Sequence, residues 1–294
     1  MASTKEIKNH IKSVKDTQKI TNAMYLIAST KLRKAKNELD RVRPYFEALR
    51  QEIKRIFRLA GIWVDSRYFF PLNNEGPLEG TYGCLVITAD KGLAGAYNKN
   101  VLREAERLLE QHKDTKLFVV GEFGRRYCGQ HGIPFERSFV YTAQNPTLER
   151  AREICALLLD QYDRGELTEI FVIYTDMANS LSAVAKTTRL LPFHRDSFAT
   201  PDAEKPQEVR FEFIPSVTAV LDQEVQSYVS GFVYGALIDS FCSEQNARMT
   251  AMDAANRNAE NLLAELSLQY NRVRQSAITQ EITELSSGAR AGQS

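Results

Sequence analysis

The sequence predicts an α/β chain: a long antiparallel coiled coil of the N- and C-terminal helices, with a central α/β domain between them. Three observations carry this. Each end of the 294-residue chain keeps a heptad seam, the middle alternates strand-like and helical segments, and a basic N-terminal arm is offset by the remainder.

The first helix is read from Ile7 in alternating steps of four and three. The stops are Ile7, Ile11, Val14, Gln18, Thr21, Tyr25, Ala28, Leu32, Ala35, Leu39, Val42, Phe46, Leu49, Ile53 and Ile56. Thirteen of the fifteen are apolar, a coiled-coil signal sustained over many turns. Ser3-Thr4-Lys5-Glu6 has the form of a capping box, with Ser3 as N-cap and Glu6 reaching back. Pro44 removes one backbone donor. The pattern resumes after it, so it is expected to kink or loosen the helix without ending it. At the rise of an α-helix, Ile7 to Ile56 would span roughly 75 Å.

The C-terminal third repeats the design through Ile238, Cys242, Gln245, Met249, Met252, Asn256, Ala259, Leu263, Leu266, Tyr270, Val273 and Ala277. Ten of these twelve are apolar or small. Pro215-Ser216 marks the start, and no proline follows. A single apolar seam is not stable alone in water, so the two helices are expected to pair, antiparallel because both join the same middle. The polar breaks, Gln18 and Thr21 on one helix and Gln245 and Asn256 on the other, are candidates for fixing register at some cost in stability.

Between the helices, CLVITAD (84–90), KLFVV (116–120) and EIFVIYTD (169–176) are continuous apolar runs, as in strands buried on both faces. Helical spacing runs from Asn98 to Gln111 and over 122–131. Asn145-Pro146 opens a third helix that stops near Gly165. Strand and helix alternate, which predicts a small parallel-type sheet with flanking helices. VRFEF (209–213) alternates and is expected to be an edge strand. The organisation expected is an N-terminal helix over 1–60, a linker over 61–80, the α/β domain over 81–215, a C-terminal helix over 216–288 and a tail over 289–294.

Composition excludes several classes. No apolar run approaches the ~18 residues of a membrane span. MASTKEIKNHIK has helical spacing and no apolar signal core, so the chain is expected to begin here and to work in the cytoplasm. Cys84, Cys128, Cys155 and Cys242 form no C-x-x-C pair, and with four scattered histidines they predict buried thiols and no metal site. Residues 1–60 hold 15 Lys+Arg against 6 Asp+Glu, a net +9, while the other 234 hold 23 against 31, a net −8. Such an arm suits nucleic acid, lipid or an acidic protein surface, or is a solvated helix face.

Catalysis has no legible constellation. Asp90-Lys-Gly-Leu-Ala-Gly-Ala-Tyr-Asn98 puts glycines between strand and helix, where nucleotide folds hold phosphate. Its spacing is G-x-x-G, with neither G-x-G-x-x-G nor Gly-Lys-Ser/Thr, so a tight turn packing helix on strand is the better reading. No cofactor is implied.

Several motifs carry a resemblance. TQKITNAM (17–24) followed by TKLRKAK, DKGLAGAYN in the middle, and SEQNARMTAMDAANRNAENLL followed by YNRVRQSAITQEITELSSGA resemble the gamma subunit of F-type ATP synthase, end to end. The resemblance implies a central rotor shaft whose middle is Rossmann-like and which holds no catalytic residue. Its partners would be the alpha and beta subunits of the catalytic ring, the epsilon subunit and the membrane c-ring. By matching position, Lys19, Met24, Glu244, Arg248, Gln275 and Thr279 would be beta-subunit contact or coupling residues. Phe211, Phe213 and Ile214 would form the foot on the c-ring and epsilon. Ile278 to Leu285 would turn in an apolar bearing. Many relatives carry a cysteine where this chain has Ala94, and the added cysteine segment of light-regulated chloroplast forms is absent, so thiol switching is not expected. The implied location is peripheral, on the cytoplasmic face of a bacterial plasma membrane. A basic coiled-coil nucleic-acid binder is the alternative, and a nucleotide-binding enzyme with helical extensions the third reading.

Overall fold

The computed structural model describes residues 4–60, 64–71, 76–179, 182–198 and 212–291. In chain order these form α1 (Thr4–Ala60), β1 (Tyr82–Ile87), α2 (Tyr97–Gln111), β2 (Thr115–Val120), α3 (Glu122–His131), α4 (Leu148–Asp163), β3 (Glu169–Asn179), β4 (Ser182–Leu191), a 3-10 turn (Arg195–Ser197) and α5 (Val217–Ala291). The fold class is the expected one: two long terminal helices and a central α/β region. Two compact units divide the chain, Met1–Ser29 with Arg248–Ser294, and Thr30–Ala247.

The sheet, in the order β2-β1-β3-β4, belongs to the second unit. β1 pairs in parallel with β2 and with β3, and β4 closes the edge antiparallel to β3. Alternation along the strands sorts two apolar layers. Cys84, Val86, Leu117, Val119 and Ile173 face α2 and α3, where Val101, Ala105, Leu108 and Cys128 complete one core. Leu85, Ile87, Phe118, Val120 and Val172 face the other way, onto Ile154 and Leu158 of α4 and onto Ile53, Val229 and Val233 of the long helices. Both faces are thus covered, which is why these strands read as unbroken apolar runs.

The start of α5 and the continuation of α1 have reasons visible in the sequence. Ser216 begins α5, its hydroxyl accepting the Ala219 N–H at 3.2 Å and its carbonyl the Val220 N–H at 3.1 Å. α1 runs on through Pro44, as expected. All fifteen stops of the first walk are buried or half-buried, as are all those of the second except Ala277. The proposed capping residue Ser3 lies outside the described residues. In the first unit, partners fall in number on α5 as they rise on α1, so the pairing is antiparallel. Gln18 Nε2 donates to Glu260 Oε1 at 3.4 Å, and the Thr21 hydroxyl donates to Asn256 Oδ1. Two of the seam's polar breaks therefore meet each other. Gln245 does not join them. It sits in the second unit, buried, and its Nε2 has no hydrogen-bond partner among the described residues.

Within the second unit, α1 and α5 pack closely at Gly231. A Cβ there would lie 2.0–2.7 Å from ring atoms of Phe46, which also packs on Tyr234 at 6.2 Å. Gly235, one turn on, lines a pocket of about 250 Å³, and a Cβ there would meet nothing within 4 Å. This pair makes a prediction. Gly-to-Ala in a helix ordinarily gains about 1 kcal/mol, so Gly235→Ala should raise the unfolding temperature. Gly231→Ala should lower it, because displacing the ring costs about 1–3 kcal/mol. Thermal unfolding of the two variants checks the contrast.

Three elements depart from the sequence reading. β4 was not expected, and it is the antiparallel edge of the sheet. The expected edge strand 209–213 falls largely outside the described residues, and Glu212 and Phe213 are irregular. Helix α4 is capped by Thr147, whose side chain accepts the Arg150 N–H at 3.2 Å, and not by Asn145, which has φ 47. Thr147 has the extended backbone of an N-cap, φ −126 and ψ 153, whereas Asn145 sits in the left-handed region, so the cap falls after the proline.

Candidate partner-binding surfaces

The glycine loop is a structural pin. One carboxylate, Asp90, accepts the N–H of Glu122 at 3.1 Å and those of Ala143 and Gln144 at 3.2 Å, together with the Thr142 hydroxyl. Its lone pairs are spent tying the end of β1 to α3 and to the segment before α4. Asn98 Oδ1 accepts the Ala89 N–H at 2.9 Å, and the buried Tyr97 ring packs with Ala89, Ala94 and Ala247. The loop therefore packs helix on strand, as its spacing suggested. Among the described residues no group of three or more His, Cys, Asp and Glu side chains is placed to hold a metal ion.

All four thiols are free and buried. Burial pushes Cys128 up to about 11 and both Cys155 and Cys242 up to about 12, and it raises Cys84 further still. Thiols so far from ionisation at neutral pH are unreactive.

The residues singled out by resemblance separate into exposed and buried sets. Lys19 is exposed and forms an ion pair with Asp16 at 3.2 Å; Met24 is half-buried. Gln275 and Thr279 are exposed on α5. The Thr279 hydroxyl donates to the Gln275 carbonyl at 2.9 Å and Thr283 to the Thr279 carbonyl at 2.8 Å, so both hydroxyl protons are satisfied within the helix. Glu244 is 1% exposed and Arg248 is 9% exposed, both turned into their own chain. The stretch holding Glu244 is fixed to the sheet: the Thr175 N–H donates to Ser240 Oγ at 3.2 Å, and Ser243 Oγ to the Thr175 carbonyl at 3.5 Å. In the foot, Phe211 lies outside the described residues, Phe213 packs half-buried against the larger core, and Ile214 is 77% exposed.

Sequence reasoning missed three further apolar residues on α1. Ile20, Leu26 and Ile27 are each more than half exposed, among the exposed lysines Lys8, Lys12, Lys15 and Lys19. Their signal was legible: they are apolar yet fall off the four-three walk, so the seam cannot bury them. On α5, Leu268, Ile278, Ile282 and Leu285 are likewise exposed. Apolar side chains left exposed on both helices of one unit are candidates for contact with a partner.

Known proteins resemble this chain closely. A family model described as ATP synthase matches residues 3–291. The ATP synthase gamma chain of Acetivibrio thermocellus is 40% identical over 99% of this chain and 99% of its own length. That of Caldanaerobacter subterraneus subsp. tengcongensis is 42% identical over 97% and 98%. Among solved structures, the rotor of the Euglena gracilis mitochondrial ATP synthase in rotational state 1 superposes with a TM-score of 0.64. It covers 94% of this chain and 98% of its own, at 15% identity, and so speaks to the fold alone.

Proposed function

This chain belongs to the ATP synthase gamma-chain family, and we propose that, as the non-catalytic stalk subunit of a bacterial-type complex, it turns inside the alpha–beta ring and couples ion flow to ATP chemistry on the beta subunits. The observation that carries this is near-complete alignment at about 40% identity with gamma chains, in a molecule whose terminal helices pair and leave apolar side chains outside. Rotation sets the physical requirement. A shaft moving past three equivalent neighbours cannot be held by fixed, deeply buried ion pairs. Exposed apolar residues and threonines already bonded within their helix make contacts that release cheaply.

In this reading the alpha and beta subunits surround the terminal helices, and epsilon and the c-ring meet the α/β unit. Lys19, Met24, Gln275 and Thr279 face beta subunits directly. Glu244 and Arg248 act from inside the shaft, fixing how α5 is seated, and Phe213 and Ile214 belong to the foot. The chain is held peripherally at the cytoplasmic face of the plasma membrane through its partners. No described helix is long and apolar enough to cross a membrane.

Purification from native membranes tests the assignment. One copy of this chain is expected per alpha–beta ring, and recovery of the chain free of that ring would refute it. A residue-level prediction follows for Met24→Lys. A new charge beside the lysines of α1 should bind acidic beta-subunit loops too firmly. Protons pumped per ATP hydrolysed should then fall while subunit stoichiometry holds. An unchanged ratio would remove Met24 from the contact.

A further inference from the structure

The helix pair of the second unit carries an unfilled seat. Gly231 and Gly235, one turn apart, lie on the same face of α5. Both line the cavity of about 250 Å³ beside α1, and so does Phe46. The two glycines have different surroundings. At Gly231 the Phe46 ring takes the space of a side chain, whereas a Cβ at Gly235 would meet nothing within 4 Å. One ring thus stands beside two notches and fills one of them. Glycine is the costliest residue after proline inside a helix. A second glycine that this packing leaves unused points to another packing that uses it.

Size and reach fit the empty notch. An apolar cavity of ~150 Å³ already holds a benzene molecule. Aromatic residues in helices use the χ1 wells near about 180° and about −60°, and a step between them swings a phenyl ring by roughly 5 Å. Successive turns of a helix are ~5.4 Å apart. The ring now packs edge-on to Tyr45 at 5.3 Å and tilted to Tyr234 at 6.2 Å. Tyr174 of β3 and Phe232 of α5 line the cavity, so the second seat also offers aromatic neighbours. α1 is loosened at the same place. Pro44, two residues before Phe46, has no N–H to donate to the Asp40 carbonyl, so one bond of the helix ladder is missing there.

We propose that Phe46 is a two-position knob, exchanging between the notch at Gly231 and the notch at Gly235 while the cavity moves to whichever is vacated. Close-packed interfaces change in such discrete steps and do not deform continuously. The exchange gives α1 and α5 a local rearrangement that leaves the rest of their seam in register. It concerns the chain's own packing and stands apart from the rotor reading.

Fluorine NMR of the full chain, with 4-fluorophenylalanine at position 46 alone, reads the knob directly. The parent should show a minor line or exchange broadening, which Gly235→Ala removes by closing the second seat. Gly231→Ala should move the line to the minor position. Thermal unfolding supplies an independent arm. Gly235→Ala should raise the unfolding temperature of the parent and lower that of Gly231→Ala, because the double variant closes both seats. In a Phe46→Ala background, where no ring needs a seat, each alanine should raise it. The proposal is overturned if Gly235→Ala leaves the parent's fluorine line unchanged, or if the ring in Gly231→Ala shows the full solvent isotope shift of one expelled into water. It is overturned equally if Gly235→Ala acts with the same sign with and without Gly231→Ala.

Discussion

Replacing Glu169 by alanine is expected to destabilise the α/β unit by about 3–5 kcal/mol, the cost of stranding a buried charge. Glu169 opens β3 and is fully buried. Its Oε1 accepts the Leu78 N–H at 2.7 Å, and its Oε2 lies 2.9 Å from Arg189 Nε on β4, within ion-pair distance though not aligned as a hydrogen bond. The Arg189 guanidinium stacks over Phe70 at 5.0 Å and Phe171 at 5.6 Å, and its Nη1 is 3.0 Å from His194 Nε2. One carboxylate thus joins the segment before β1 to both strands of the antiparallel edge. In Glu169→Ala the guanidinium stays packed against aromatic rings with its counter-charge gone. Arg189→Lys should also weaken the edge, because an ammonium keeps the charge and loses the planar stacking. Glu169→Leu with Arg189→Met should recover most of the loss, since removing both charges leaves neither uncompensated. Amide exchange of β3 and β4 reads all three variants. A Glu169→Ala protein exchanging as slowly as the parent would show that the pair carries no stability.

The same region shows why part of the fold was not legible. Strands β1, β2 and β3 are covered on both faces and announce themselves as apolar runs. β4, SAVAKTTRLL, is an edge: among its described side chains only Leu190 and Leu191 are buried, and the small and polar residues before them carry no run and no clean alternation. The segment 61–80 resembled a linker because its prolines and glycines break every period. Its described part from Val64 to Pro71 instead sends side chains into the core. Tyr68, Phe69 and Phe70 are nearly fully buried, and Ser66 donates to Asp222 at 2.6 Å. Three consecutive aromatics were the available sign, and periodicity is blind to them. The helices were legible for the opposite reason. A heptad repeats often enough that two polar stops at Gln18 and Thr21 stand out, and Thr21 meets the other helix's break at Asn256.

The residues of the proposed partner surface divide by exposure. Motif resemblance pointed to Lys19, Met24, Gln275 and Thr279, and all four are exposed or half-exposed. It pointed equally to Glu244 and Arg248, whose burial depends on how α5 seats against the rest of the chain and cannot be read from position in a motif. The exposure of Ile20, Leu26 and Ile27 needed only the observation that they fall off the seam, which therefore cannot bury them.

Asp239→Asn is expected to stabilise the α/β unit by about 2 kcal/mol at pH 8 and by nothing near pH 4. Asp239 sits on α5 at the edge of the pocket beside Gly235. Burial, with the charge of Asp176 on β3, pushes its carboxyl up to about 6 from 3.8, against the opposing pull of Arg43 on α1 and Lys186 on β4. Lys186 is already committed to Asp176 at 2.5 Å, which limits what it can do for Asp239. Between pH 4 and 6 the folded chain holds a proton that the unfolded chain has released. Stability therefore falls as pH rises through that window and stays lower above it. A difference of this size corresponds to about 3 kcal/mol if fully expressed, and partial exposure of the group trims it to about 2. Asparagine keeps the shape and never ionises, so the two proteins should match in acid and diverge on the alkaline side. Urea unfolding at pH 4, 6 and 8 makes the comparison. A gain independent of pH would assign the effect to packing, and a loss at pH 8 would mean that Arg43 already pairs Asp239 well enough to favour its charge.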